Sequence, residues 1–106
     1  ATLDVNGDTI ISGSLTVEDA IALKQGSDPS TLDGHAHIYS KNDAGDAEVF
    51  VRDEAGNVTK ISPHNSQGEW EYFSKNTKTG KVFRVNMEKM IRKLEEITGE
   101  SFIEDK

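Results

Sequence analysis

The chain has 106 residues, a formal net charge of −7 and no cysteine. The acidic charge argues against nucleic acid and membranes as partners, because binding to phosphate groups requires Lys and Arg. The lack of Cys excludes disulfides and thiolate catalysis, and no apolar run approaches the roughly 20 residues that span a bilayer. Only 34% of the residues are hydrophobic, and every aromatic residue lies between Tyr39 and Phe102. The first third of the chain therefore lacks the material for a core of its own.

The N-terminal residues 1–25 consist of short β-branched pieces separated by Gly-containing turn formers at 6–8 and 12–14. Several apolar residues share odd positions, as alternation along strands requires: Leu3, Val5, Ile11, Leu15 and Val17. Strands this short are marginal in one chain but suit a narrow prism in which three chains share an axis. The pattern predicts a short-stranded trimeric β shaft over residues 1–25, in which residues 18–24 form a helical turn or a further strand.

Residues 26–36 are rich in Gly, Ser, Asp and Pro, which predicts a linker. Residues 37–106 are expected to form a head, or trimerisation domain. Strand-like pieces at 38–41, 48–52 and 57–61 are joined by connectors with Gly beside Asp or Asn, which predicts a three-stranded meander. Residues 63–68 are expected to break off this meander, and residues 70–74 and 81–85 to form a separate hairpin.

A C-terminal helix is predicted over roughly residues 87–98. Asn86 is a suitable N-cap, and Gly99 is a suitable stop. Apolar residues recur between them at three- and four-residue steps: Met87, Met90, Ile91, Leu94 and Ile97. This stripe fits packing either on the sheet of its own chain or around a threefold axis. The predicted fold class is thus mainly β with one C-terminal α-helix. The expected architecture is an intertwined homotrimeric shaft followed by a head made of the meander and the hairpin.

Two stretches resemble a known class of protein. "LDVNGDTIISGSLTV" resembles the Gly-punctuated strands of phage tail-fibre and spike shafts, and "HIYSKNDAGDAEVFVRDEAGNVTKIS" resembles a meander near the C-termini of phage and virus-like fibre proteins. No such resemblance extends to the hairpin and helix after Gly68. The resemblance implies a structural viral protein of a bacteriophage virion, located outside the cell, whose C-terminal trimerisation domain registers three chains of a parallel homotrimer.

The pair His35 and His37 is a candidate metal site. Two His at i and i+2 on a strand point the same way, and three such pairs around a threefold axis would offer six imidazole nitrogens, an octahedral set suited to iron or another transition metal. The resemblance adds weight, since some phage fibre and spike proteins are known for this arrangement. The simpler interpretation is a surface His at the end of a linker, with no cofactor at all.

A calcium module is a further alternative, using Asp4, Asn6 and Asp8. A calcium loop that begins at Asp4 needs an acidic ligand at its twelfth position, which here is Leu15. An Asx-type turn between short strands explains the fragment better.

No catalytic residue is predicted, because the sequence contains no nucleophile elbow, phosphate-binding Gly loop or HExxH motif. The aromatic residues are instead expected to pack, in the core or between chains: Tyr39, Phe50, Trp70 and Phe83. The rival hypothesis is a receptor- or glycan-binding fibre tip, in which Trp70 and Tyr72 lie on one strand face and stack on a host-surface sugar. The preferred prediction is a non-enzymatic module whose partner is a second and third copy of itself.

Overall fold

The computed structural model describes residues 2–104 of the chain. Within this range the chain forms one six-stranded sheet and one helix. The elements are β1 (Gln25–Gly26), β2 (His37–Asp43), β3 (Asp46–Arg52), β4 (Val58–Lys60), β5 (Glu71–Lys75), β6 (Val82–Asn86) and α1 (Met87–Thr98). The predicted fold class, mainly β with a C-terminal helix, is confirmed at this level.

The sheet is mixed, and its strands lie in the order in which they occur along the chain. β1 runs parallel to β2, while all the other neighbours are antiparallel. Ala44 and Gly45 join β2 to β3 with positive φ angles of 54° and 99°, as a two-residue hairpin turn with the twist of the flanking strands requires. The predicted three-stranded meander and the predicted hairpin are both present.

Residues 63–68 lie outside the strands, as predicted, but they do not separate the meander from the hairpin, because the sheet continues from β4 to β5. Val58 pairs with Lys75 and Thr59 with Ser74. Pro63 has no N–H to donate, but its carbonyl accepts a hydrogen bond of 2.8 Å from the Glu71 N–H. This hydrogen bond joins the two sides of the loop between β4 and β5, so the meander and the hairpin belong to one sheet.

The helix has the predicted bounds, and its two ends explain them. The Asn86 side chain accepts a hydrogen bond of 2.9 Å from the backbone N–H of Lys89. Gly99 ends the helix with a left-handed φ of 74°, and its N–H donates to the carbonyl of Glu95. No residue of α1 is fully buried, and its first N–H donates to the carbonyl of Trp70 at 2.9 Å. The bounds of the helix therefore follow mainly from its two caps.

The N-terminal segment, residues 2–24, contains no strand or helix of its own and is exposed throughout. The described core is small and lies in the sheet, where Phe50 and Val58 are the buried hydrophobic residues of the described range. The Phe50 ring stacks on Tyr39 with centroids 5.9 Å apart and meets the edge of Phe73 at 6.2 Å. One chain thus combines a modest packed sheet with a long segment in which no residue is buried.

Candidate functional site

The two faces of the sheet differ sharply in charge. Side chains alternate along each strand, and paired residues lie on the same face. The register places every Asp, Glu, Lys and Arg of β2–β6 on the face that contains Phe50, here called the charged face. The opposite, uncharged face carries Ile38, Val49, Val51, Tyr72, Phe83 and Val85, with Ser40, Asn42, Ala47, Thr59 and Ser74 between them.

A buried ion-pair network occupies the centre of the charged face. The Lys60 side chain is fully buried, and its ammonium donates to Asp43 Oδ2 at 3.0 Å, to Glu71 Oε2 at 2.7 Å and to the carbonyl of His64 at 2.8 Å. The Arg84 guanidinium bonds to both carboxylates, at 2.6 Å to Glu71 and 3.2 Å to Asp43, and lies 4.4 Å from the Phe73 ring centroid. All three donor positions of the ammonium are therefore satisfied, as a buried cation requires.

The network shifts the pKa values of two of its members. Partial burial raises the pKa of Asp43, but hydrogen bonds and positive charge from Arg84 and Lys60 outweigh this effect and hold the pKa of Asp43 below its usual value. Burial lowers the pKa of Lys60, but its bonds to Glu71 and Asp43 outweigh burial and raise the pKa above its usual value. Both groups are charged at neutral pH, so Lys60 and Asp43 form an ion pair inside the network.

The predicted linker is docked on the sheet. Asp28 accepts hydrogen bonds from the Tyr39 hydroxyl at 2.7 Å and from Lys41 at 3.0 Å, and Arg52 donates to the carbonyl of Pro29 at 2.6 Å. The burial of the Tyr39 hydroxyl and its bond to Asp28 raise the pKa of this phenol far above its usual value. The contacts hold part of residues 26–36 against β2 and β3.

Several large apolar side chains of the uncharged face are exposed in a single chain, although Ser40 is buried and the valines of this face are half-buried. Ile38, Tyr72 and Phe83 are each about half exposed or more. Ile61 follows β4, and Trp70 precedes β5. Both continue the alternation of the uncharged face, and both are exposed as well. Large apolar side chains on one contiguous sheet surface normally mark a place where another molecule packs.

The residues predicted to pack divide into two groups. Tyr39 and Phe50 lie in the aromatic stack on the charged face. Trp70 is 58% exposed, and its ring meets the His64 ring edge to face with centroids 6.1 Å apart. Phe83 lies on the opposite face of the sheet from Phe50. In the helix stripe, the exposed members are Met90, Leu94 and Ile97, whereas Met87 and Ile91 are half-buried. Packing of the exposed group between chains stays a prediction.

The two predicted metal ligands lie close together, just before and at the start of β2. His35 Nδ1 lies 2.7 Å from the carbonyl of Asp33. This contact fits the tautomer protonated at Nδ1, which leaves Nε2 as a metal ligand. His37 Nδ1 is buried and has no hydrogen-bond partner. In one copy of residues 2–104, no three His or acidic side chains are grouped to hold a metal ion. The predicted site draws its ligands from three chains and stays a prediction.

The remaining candidates lie apart from the sheet. Asp4, Asn6 and Asp8 are exposed in the N-terminal segment.

In the described part of the chain, no helix has the length and apolarity that crossing a bilayer requires. The sequence analysis missed the network around Lys60, although one signal for it was present: within β2, within β3 and within β5, all charged residues occupy alternate positions and so lie on one face of the strand.

Comparisons with protein-family models, curated proteins and solved structures found no match to this chain.

Proposed function

We propose that this chain is a structural, non-catalytic module: the C-terminal trimerisation and capping domain of a phage-type tail fibre, which registers three parallel chains outside the cell as part of a virion. The assignment to this class of fibre rests on the sequence resemblance of residues 3–17 and 37–62. The physical support for a homotrimer is independent of that resemblance.

One observation carries the proposed homotrimer: the N-terminal segment is exposed and has no strand or helix, yet it is rich in large aliphatic residues. Ile10 is 93% and Leu3 88% exposed. The full set of exposed large hydrophobic residues in this segment is Leu3, Val5, Ile10, Ile11, Leu15, Val17, Ile21 and Leu23. Each such side chain gains roughly 1.5–3 kcal/mol on full burial. Three segments that share one axis supply each other with the core that each of them lacks.

Solution mass tests the proposal most directly. Light scattering of the purified chain should give three times the chain mass of 11.6 kDa. A concentration-independent species of 11.6 kDa would overturn the proposal. Protection of its N-terminal segment from hydrogen exchange would show in addition that this segment is ordered without partners.

A pair of neighbouring substitutions tests whether the segment packs in the predicted way. Leu15→Asp places a charge at an odd position, which faces the interior of the predicted shaft, and should weaken the trimer. Thr16→Asp introduces the same charge at the adjacent even position, which faces solvent in the predicted alternation. Equal effects of the two substitutions would contradict packing by the odd positions.

The exposure of Trp70 and Tyr72 favours a second candidate function, a glycan-binding fibre tip. An open cleft of about 540 Å³ lies beside Trp70 and is also lined by Ile91 and Phe102 of the C-terminal region. Aromatic rings with one exposed face stack on sugars. A glycan array probed with the wild-type chain and with Trp70→Ala tests this function, which requires binding that the substitution abolishes.

A further inference from the structure

We propose that the uncharged face of the sheet is the surface by which the heads of three copies pack together, so that the charged face points outward. This inference rests on the proposed homotrimer and specifies which surface of the head forms it. The occupant of the face is a second copy of this chain.

The distribution of charge supports a like partner. Each copy carries a net charge of −7, so copies repel one another wherever their acidic surfaces approach. The strands β2–β6 hold all their charged residues on one face, where Lys60 and Arg84 are paired with carboxylates. The other face has no charge within these strands with which to recognise a charged partner. Interfaces between identical subunits are depleted of charge at their centres in the same way.

Exposure supports the same assignment. In one chain the charged face contains the buried residues Phe50, Val58 and Lys60, whereas Ile38 on the uncharged face is 62% exposed. The charged face thus holds the described core together with the buried Lys60, whereas Ile38, Tyr72 and Phe83 on the uncharged face stay exposed in one chain, which water disfavours for large apolar side chains. Lys81, just before β6, lies 5.0 Å from the Phe83 ring centroid, at the rim of the face, where charges are usual in interfaces.

The path of the chain connects this face to the N-terminal segment. Gln25 of β1 pairs with Ser40, an uncharged-face residue, and its side chain accepts a hydrogen bond of 3.4 Å from Asn42 on the same face. The N-terminal segment is proposed to pack around the axis. It therefore enters the sheet at Gln25, whose side chain lies on the uncharged face. The apolar surface of the segment and that of the head can lie on one continuous axis.

The neighbours Val82 and Phe83 provide a matched test. They are equally exposed in one chain, at 50% and 51%, but Val82 lies on the charged face and Phe83 on the uncharged face. Phe83→Asp should raise the concentration at which the trimer dissociates at least about tenfold, since it places a carboxylate in an apolar interface, whereas Val82→Asp should change it by less than about twofold. Analytical ultracentrifugation measures both values, and circular dichroism confirms that the helix is retained.

Cysteine labelling covers the case in which Phe83→Asp does not fold. The chain has no Cys, so Val82→Cys and Phe83→Cys each introduce one unique thiol. In the assembled wild-type-like trimer, a maleimide should label the Phe83→Cys variant at least about tenfold more slowly than the Val82→Cys variant, because burial blocks access to the thiol. Equal labelling rates in a trimer would overturn the inference and leave the proposed function intact. A monomeric wild-type chain would overturn both.

Discussion

Lys60→Met should strongly destabilise the head, because the buried ammonium holds two carboxylates together. Met retains the length and much of the volume of the side chain, but it removes the bonds to Asp43 at 3.0 Å, to Glu71 at 2.7 Å and to the His64 carbonyl at 2.8 Å. Removing one partner of a buried ion pair typically costs about 3–5 kcal/mol. Arg84 still pairs with both carboxylates, so we expect a loss of about 3 kcal/mol in the free energy of unfolding, at the lower end of that range.

Urea unfolding followed by the fluorescence of Trp70, the one Trp of the chain, measures this loss. All variants are compared at one protein concentration, because assembly contributes to stability. With a urea dependence of about 1–3 kcal/mol per molar for a small domain, the midpoint should fall by about 1–3 M. Lys75→Met is the matched control, since Lys75 is an exposed lysine on the same face of the sheet.

A double substitution separates a buried charge from a simple loss of packing. Lys60→Met combined with Glu71→Leu removes both members of the closest pair, so no carboxylate is left without its lysine at that position. The double variant should lose less stability than the sum of the two single variants. The reasoning is refuted if Lys60→Met lies within about 0.5 kcal/mol of Lys75→Met, the range expected of surface substitutions.

Further predictions concern a glycine, a helix cap and acid stability. Gly56→Ala should lower the melting temperature more than Gly45→Ala does: both have a positive φ, of 95° and 99°, but only at Gly56 would the new Cβ lie 2.6 Å from Thr77 Oγ1. Asn86→Ala should destabilise the chain by about 1 kcal/mol and reduce the helical circular dichroism signal. Because the pKa of Asp43 is depressed in the folded chain, its contribution to stability is present above its unfolded pKa of about 3.9 and is lost as pH falls through the folded value. Urea midpoints between pH 5 and pH 2 should thus fall less for Asp43→Asn than for the wild type.

Local sequence signals predicted the local elements of this fold. The bounds of α1 follow from Asn86 and Gly99, each of which satisfies backbone groups within a few residues of itself. The β2–β3 hairpin follows from a turn at Ala44 and Gly45 whose geometry the flanking strands require. In both cases the interactions that define the element lie within the stretch of sequence that predicts it.

The features that the sequence did not predict depend on contacts between distant residues. The β4–β5 pairing joins residues on either side of a loop that contains Pro63, and the loop closes through a bond from Glu71. A lysine between Thr59 and Ile61 is typical of a solvent-facing strand position. The burial of Lys60 comes from Asp43, Glu71 and Arg84, on three other strands. Which side of a strand is buried in one chain therefore depends on residues that are distant in sequence.

The docked segment around Asp28 has a mechanical consequence. If the N-terminal segment were pulled with nothing holding residues 25–34, the force would reach β2 at His37 and peel it from β3 one hydrogen bond at a time. The contacts of Asp28 with Tyr39 and Lys41, and of Pro29 with Arg52, instead spread the load over the middle of β2 and the end of β3. Several bonds must then break together, so tension along the chain would be resisted at this anchor before the sheet begins to open.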